Sequence, residues 1–219
     1  PYFKAKKIIE KNNVKVFSSN YALYGDISQR VMEILSSFSS DIEIYSIDEA
    51  FLSLNGFENY ELNTYCQHIR KTIKKWVGVP VSIGVGSTKT LSKIANNLAK
   101  KHAHYKGVCI LKNLIEIKSG LKLTPIEDVW GIGRQLSLFL RKNNIDDAYC
   151  FSQMDRGWVR KNMGVVGEKT YLELNGVSCL DLDLTPSDKK SCCVSRSFNK
   201  PIEKLFDLEE SVSTYGSRV

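Results

Sequence analysis

Asp48 and Glu49 are adjacent carboxylates in the middle of the β-rich run Glu43-Ile44-Tyr45-Ser46-Ile47-Asp48-Glu49-Ala50-Phe51-Leu52. Acidic residues are poor strand formers, so two strands meeting near Asp48-Glu49 account for the interruption. Both acids then sit near a turn or a sheet edge. Paired oxygen ligands held on rigid strands suit Mg²⁺, which keeps water and substrate phosphates in its remaining positions. A surface hairpin with two solvated acids would show the same pattern.

A second group of side chains is cationic. Lys89, Lys93 and Lys100 stand at i, i+4 and i+11, which places them on one face of a helix. Three ammonium groups there could meet a triphosphate or a nucleic-acid backbone, and a solvated lysine face is the alternative. The preceding Gly84-Val85-Gly86 is too short for a dinucleotide fingerprint and lacks P-loop spacing. The third group is Val129-Trp130-Gly131-Ile132-Gly133-Arg134. A turn of this kind between two short helices aims backbone N–H groups and the positive end of a helix dipole at a phosphate. Val166-Gly167-Glu168-Lys169 is a weaker second instance. His102 and His104 have no cysteine or carboxylate at metal-ligand spacing and read as a solvated helix end.

Those groups need elements to position them, and the hydropathy pattern supplies a regular alternation. Residues 1–11, Tyr24 to Phe38, Leu62 to Val77 and Ser87 to Lys101 read as helices, with Asn20 or Asp26 as start signals for the second. Val14 to Phe17, the hairpin Ile42 to Leu54, the alternating Val79 to Val85, and Gly107 to Leu111 read as strands. This βαββαβ-like order predicts an α/β layer domain. After Lys112 the β signal fades into short helices. A further change follows Thr185-Pro186-Ser187-Asp188, where a strand-like stretch runs from Cys192 to Phe198.

The 219 residues are 42% apolar and 10% aromatic, which excludes intrinsic disorder as the default. No apolar run approaches the ~18 residues of a membrane span. Six cysteines without a C-x-x-C pair read as reduced, mostly buried thiols of a cytosolic protein. The net charge of +7 is unevenly spread: residues 21–60 hold seven acids against Arg30, and residues 61–112 hold ten bases against Glu61. An acidic block followed by a basic one suits a site that handles both cations and anions, although two solvated faces of opposite sign would look the same.

Five segments carry a family resemblance: Phe17-Ser18-Ser19-Asn20-Tyr21; Glu43 through Phe51; Thr88-Lys89-Thr90-Leu91-Ser92-Lys93 with Ala99-Lys100-Lys101; Asp128-Val129-Trp130-Gly131-Ile132-Gly133-Arg134; and Ser195-Arg196-Ser197-Phe198. In this order, along nearly the whole chain, they resemble the Y-family, translesion DNA polymerases. The resemblance implies an α+β fold: a ferredoxin-like βαββαβ palm with helices on one face, followed by a small all-α thumb with a helix–hairpin–helix. It places the end of the fingers at residues 1–20, the palm at 21–112, the thumb at 113–185 and the start of the little finger at 186–219.

By the same resemblance, Asp48 and Glu49 are catalytic and ligate a two-metal Mg²⁺ site. Lys100, with Lys93 as a candidate beside it, binds the triphosphate of a deoxynucleoside triphosphate. Gly131, Ile132, Gly133 and Arg134 grip primer–template DNA. The implied partners are a UmuD-type dimer and the RecA filament, with the sliding clamp as a candidate. The implied role is error-prone synthesis past damaged bases in the SOS response of a bacterial cytoplasm, associated with the nucleoid. The family's first catalytic aspartate lies in an N-terminal D-x-N-x-F-Y-A-S-type strand, and no such stretch precedes Asp48. The chain is therefore expected to be an internal fragment that is inactive by itself, with an incomplete metal site. Two alternatives are a non-catalytic helix–hairpin–helix DNA-binding module and a palm-type nucleotide cyclase.

Overall fold

Local capping sets where the main helices start. In the computed structural model, which describes residues 2–57, 59–185, 191–198 and 200–217, Asn20 caps α2 (Tyr21–Ser36) by accepting the Leu23 N–H. Glu61 caps α3 (Leu62–Val77) through the N–H groups of Asn63 and Thr64, and left-handed Gly78 ends it. Thr88 caps α4 (Lys89–Lys101) by accepting from Leu91. Residues 2–11 form α1 as expected. Val14 to Phe17 forms no strand: Val14, Val16 and Phe17 are exposed, and no ladder partner lies among the described residues.

The β-rich run folds as the expected hairpin. Strands β1 (Ile42–Ser46) and β2 (Glu49–Leu52) pair antiparallel, Glu43 opposite Phe51, with a register shift between Ile44 and Ser46. That shift is a bulge at Tyr45, which strengthens the local twist. Strand β3 (Ile83–Gly86) pairs in parallel with β4 (Val108–Leu111), and α4 is the crossover between them. The mixed α+β class is as expected. The strands, however, form two separate two-stranded ladders among the described residues rather than one continuous sheet. Strand β3 is also shorter than the alternation from Val79 suggests, since residues 79–82 lie outside it; Pro80 has no N–H to donate to a ladder.

Helix α4 lies almost in backbone contact with β3. A Cβ on Gly84 would fall 2.0 Å from the Asn96 backbone nitrogen, so glycine there is what admits the helix. Between β2 and β3 runs a groove of about 610 Å³, lined by both strands and by Val31, Leu35, Ile69 and Ile73 from α2 and α3. Burial beside it raises the Cys66 thiol to a pKa of about 11. All six cysteines are free, but only Cys66 and Cys109 are buried, whereas Cys150, Cys192 and Cys193 are exposed. The expectation of mostly buried thiols is corrected accordingly.

The second half of this unit is helical: α5 (Leu114–Lys122), α6 (Arg134–Lys142), α7 (Ala148–Ser152) and α8 (Arg156–Leu174). Leu91, Ile94, Ala95 and Leu98 of α4 share one core with Leu121, Ile126, Val129, Leu140, Phe151, Val159 and Leu174. The i, i+3, i+4, i+7 stripe of α4 is therefore the surface on which the helical half is built. Residues Pro1–Leu184 form one compact unit and Thr185–Val219 a second. Within the second, α9 (Leu205–Gly216) places Tyr215 against Phe198 at 6.5 Å between ring centroids. Residues 191–198 have no regular structure, which corrects the strand expected from Cys192 to Phe198.

Candidate active site and nucleic-acid interface

The hairpin turns a single face toward α4, and strand periodicity decides which side chains lie on it. Glu43 and Tyr45 stand two apart on β1, as do Glu49 and Phe51 on β2, and side chains two apart share a face. Lys89 and Lys93 stand one helical turn apart on α4. Each lysine meets one acid and one ring of the hairpin. Lys89 is ion-paired to Glu43 and lies 5.1 Å from the Phe51 ring centroid. Lys93 Nζ is 2.7 Å from Glu49 Oε2 and 4.9 Å from the Tyr45 ring centroid.

The two pairs differ in burial. Both side chains of the Lys89–Glu43 pair are 11% exposed. Glu43 Oε2 also accepts the Asp183 N–H at 2.8 Å, and Lys89 also donates to the Asp181 carbonyl at 2.7 Å. This pair fastens the segment leaving α8 to the hairpin. The Lys93–Glu49 pair is more open, at 20% and 30% exposure. Asp48 is exposed in the turn between the strands, where its carboxylate accepts the Ser46 hydroxyl at 2.7 Å.

These placements decide what each expected site residue can do. Asp48 and Glu49 lie where the strands meet and offer hard oxygen donors, the set that suits a divalent cation. Among the described residues, no group of three or more His, Cys, Asp or Glu side chains gathers at a common point. Lys93 is already engaged by Glu49, and its availability to a triphosphate depends on that pairing. Lys100 is exposed, while its neighbour Lys101 pairs with Asp128 at 2.5 Å.

The glycine turn lies on the same body. Gly131 has φ +91°, and a Cβ there would also lie 2.9 Å from Thr170 Oγ1, so both conformation and space require glycine. Gly133 is the N-cap of α6, with no side-chain cap among the described residues, and a Cβ on it would meet nothing within 4 Å. The first-turn N–H groups of α6 therefore face an open approach. Arg134 is exposed beside them, whereas Ile132 is only 4% exposed. Ile132 anchors the turn in the core and could meet DNA only through its backbone. The expected second instance of the motif coincides with a break in α8 at Gly164 (φ 68°), followed by exposed Val165 and Val166. Glu168 there pairs with Arg156 at 2.7 Å and with Arg160, and these guanidinium groups hold its carboxyl below the usual range.

Two residues that the motif spacing did not single out join these parts. Trp130, just before the glycine turn, packs edge-on to Tyr45, with centroids 5.5 Å apart and planes at 89°. Its ring centroid is 5.4 Å from Lys93 Nζ. Glu173, near the end of α8, is fully buried and accepts the Thr90 N–H at 3.0 Å and the Cys179 N–H at 2.7 Å. Its backbone carbonyl accepts the Thr88 hydroxyl at 2.9 Å. A glutamate amid the apolar residues of Tyr171-Leu172-Glu173-Leu174 was the available signal for Glu173. The only signal for Trp130 was its place beside the turn.

Comparison with known proteins gives relatives in sequence and in fold. Residues 1–97 match the model of the impB/mucB/samB family. The whole chain is 40% identical to Protein UmuC of Salmonella typhimurium, over 52% of that protein. It is 30% identical to DNA polymerase IV of Clostridium kluyveri over 90% of this chain and 48% of that protein. In fold it resembles DinB from Sulfolobus solfataricus, with a TM-score of 0.66 and 22% identity, covering 81% of this chain and 52% of that one. The chain spans about half the length of the curated relatives it matches.

Proposed function

We infer that this chain, which carries an impB/mucB/samB family domain in residues 1–97 and resembles UmuC along its whole length, is the palm and thumb of a translesion DNA polymerase. The observation that carries this reading is the meeting of three parts on one body: the Asp48–Glu49 turn, the lysine face of α4 and the open glycine turn before α6. A template-directed nucleotidyl transferase needs a cation site, an anion site and a grip on the DNA backbone side by side.

Within this reading, residues 1–20 end the fingers, 21–112 are the palm, 113–185 the thumb and 186–219 the start of the little finger. Asp48 and Glu49 would hold Mg²⁺, which when bound supplies activation of the primer 3′-hydroxyl and neutralisation of the leaving pyrophosphate. Lys100 attracts the incoming triphosphate. The backbone around Gly131, Ile132 and Gly133, with Arg134, holds the DNA backbone without reading its bases. The groove between β2 and β3 supports an incomplete palm. Each strand has one edge without a ladder partner among the described residues, and one further strand would join the two ladders and could bring the missing carboxylate. A role in the SOS response, with a UmuD-type dimer, the RecA filament and a sliding clamp as partners near the nucleoid, completes the proposal.

The test is primer extension across a damaged template base. The full-length protein is expected to extend in Mg²⁺, Asp48→Ala to lose that activity, and the 219-residue segment alone to show none. Undiminished extension by Asp48→Ala would refute the assignment. The open N-terminus of α6 favours one further reading, that the segment is a non-catalytic duplex-binding module. In that case, adding the upstream strand would confer no nucleotide incorporation.

A further inference from the structure

Helix α5 carries large aliphatic and cationic side chains on one side. At 3.6 residues per turn, Leu114, Lys118, Lys122 and Ile115 fall within about 100° of arc, whereas Gly120 and Leu121 are buried and Ile117 packs on the core. Leu114 is 83% exposed and Ile115 81%. They are the first two residues of the helix, and a complete capping box fixes their backbone. Asn113 Oδ1 accepts the N–H groups of Ile115 and Glu116, and the Glu116 carboxylate accepts those of Lys112 and Asn113. A rigid turn thus presents two aliphatic side chains to water. The lysines are placed as well: Lys118 Nζ and Lys122 Nζ each lie 5.2 Å from the centroid of the Tyr149 ring. Neither is in an ion pair among the described residues. The acids of α5 and of the approach to α7 are engaged elsewhere, Glu116 in the capping box, Asp146 with Arg141 and Asp147 with the Cys150 N–H. Two like charges therefore share one ring, and an anion bound beside them relieves their repulsion.

We propose that this face of α5 docks an acidic segment of a partner protein, with Leu114 and Ile115 as apolar anchors and with Lys118 and Lys122, placed by Tyr149, as receivers of its carboxylates. The chemistry favours a protein over a nucleic acid. Leucine and isoleucine offer a phosphate backbone no hydrogen bond or charge. The Tyr149 ring already holds two ammonium groups and is not free to stack on a base. Anchors on a backbone that is fixed beforehand cost little to order on binding, and the two charges speed encounter and set orientation. The inference is independent of the roles assigned to Asp48, Glu49 and the glycine turn.

The probe is a displayed library of random peptides, selected on the full-length protein and depleted on its Leu114→Ser, Ile115→Ser double variant. The retained peptides are expected to combine Asp and Glu with apolar residues. Fluorescence anisotropy then gives the affinity of a retained peptide. The double serine variant is expected to bind it about tenfold more weakly or worse, the scale of losing buried aliphatic surface. Lys118→Gln combined with Lys122→Gln is expected to weaken it about three- to tenfold at low salt, a deficit that shrinks as salt screens the charges. All four positions are exposed, so these variants should fold, and their duplex affinity should match wild type. A library that yields no peptide dependent on α5, or only peptides without acidic residues, would overturn the proposal. So would an equal loss of single-stranded oligonucleotide binding in the lysine variant, which would make this a nucleic-acid face. Leu114→Cys supplies the last check: a thiol at that site closed to maleimide in the native full-length protein, but open after unfolding, would show that the rest of its own chain covers the face.

Discussion

The fully buried carboxylate of Glu173 accepts the backbone N–H of Thr90 at 3.0 Å, so α8, in the helical half, closes the first turn of the lysine-bearing helix α4. The charge is matched by two N–H donors and by the positive end of the α4 dipole. Glu173→Ala leaves the buried Thr90 N–H and the half-buried Cys179 N–H without an acceptor and is expected to cost about 1–3 kcal/mol of stability for the first and less for the second. Glu173→Gln keeps one acceptor oxygen and is expected to cost less. Denaturant unfolding of the three proteins checks this. Equal stability of Glu173→Ala and wild type would show that the cap contributes nothing.

Lys89 and Glu43 make a different prediction, because both partners are charged and nearly buried. Breaking such a pair by removing one member costs about 3–5 kcal/mol, whereas replacing both by apolar residues is often close to neutral. Glu43→Ala is therefore expected to be far more destabilising than Glu43→Met combined with Lys89→Met. Thermal unfolding of both variants gives the comparison. A double variant as unstable as the single one would mean that the pair does more than neutralise its own charges.

Gly131 and Gly133 are two residues apart yet should respond to substitution in opposite ways. Gly131→Ala puts a Cβ at positive φ, 2.9 Å from Thr170 Oγ1, and is expected to destabilise the fold. A Cβ at Gly133 meets nothing within 4 Å, so Gly133→Ala should cost only the modest loss of a poorer N-cap while a side chain now stands beside the open N-terminus of α6. Duplex affinity is expected to fall by more than that small loss of stability accounts for. Arg134→Ala should weaken binding to all sequences alike and reduce the salt dependence by about one phosphate contact. Fluorescence anisotropy across a salt series measures both effects. Unchanged affinity in Gly133→Ala would remove this turn from the DNA interface.

Much of this molecule can be read locally. The bounds of α3, Leu62 and Val77, follow from apolar spacing and are fixed by the Glu61 cap and left-handed Gly78, and Asn20 and Thr88 are side-chain caps of α2 and α4. The hairpin around Asp48-Glu49 follows from two acids interrupting a β-rich run. Each of these signals acts over a few residues, within the reach of a helical turn or a strand alternation. Where a local signal lacked a partner, it misled: the apolar Val14, Val16 and Phe17 alternate like a strand but remain exposed.

The sequence by itself determined the elements, the acid and lysine faces and the glycine turn, because periodicity and capping are properties of neighbouring residues. Only the tertiary structure decided which acid meets which lysine. Glu43 and Lys89 are 46 residues apart, Glu49 and Lys93 44, and Glu173 and Thr90 83. Strand alternation turns Glu43, Tyr45, Glu49 and Phe51 to one side, but it does not say what lies opposite. That is decided when Gly84 lets α4 approach the β3 backbone and the α4 stripe buries itself against the helical half. The same packing brings Trp130 from a turn 37 residues beyond Lys93 to the edge of the acidic hairpin.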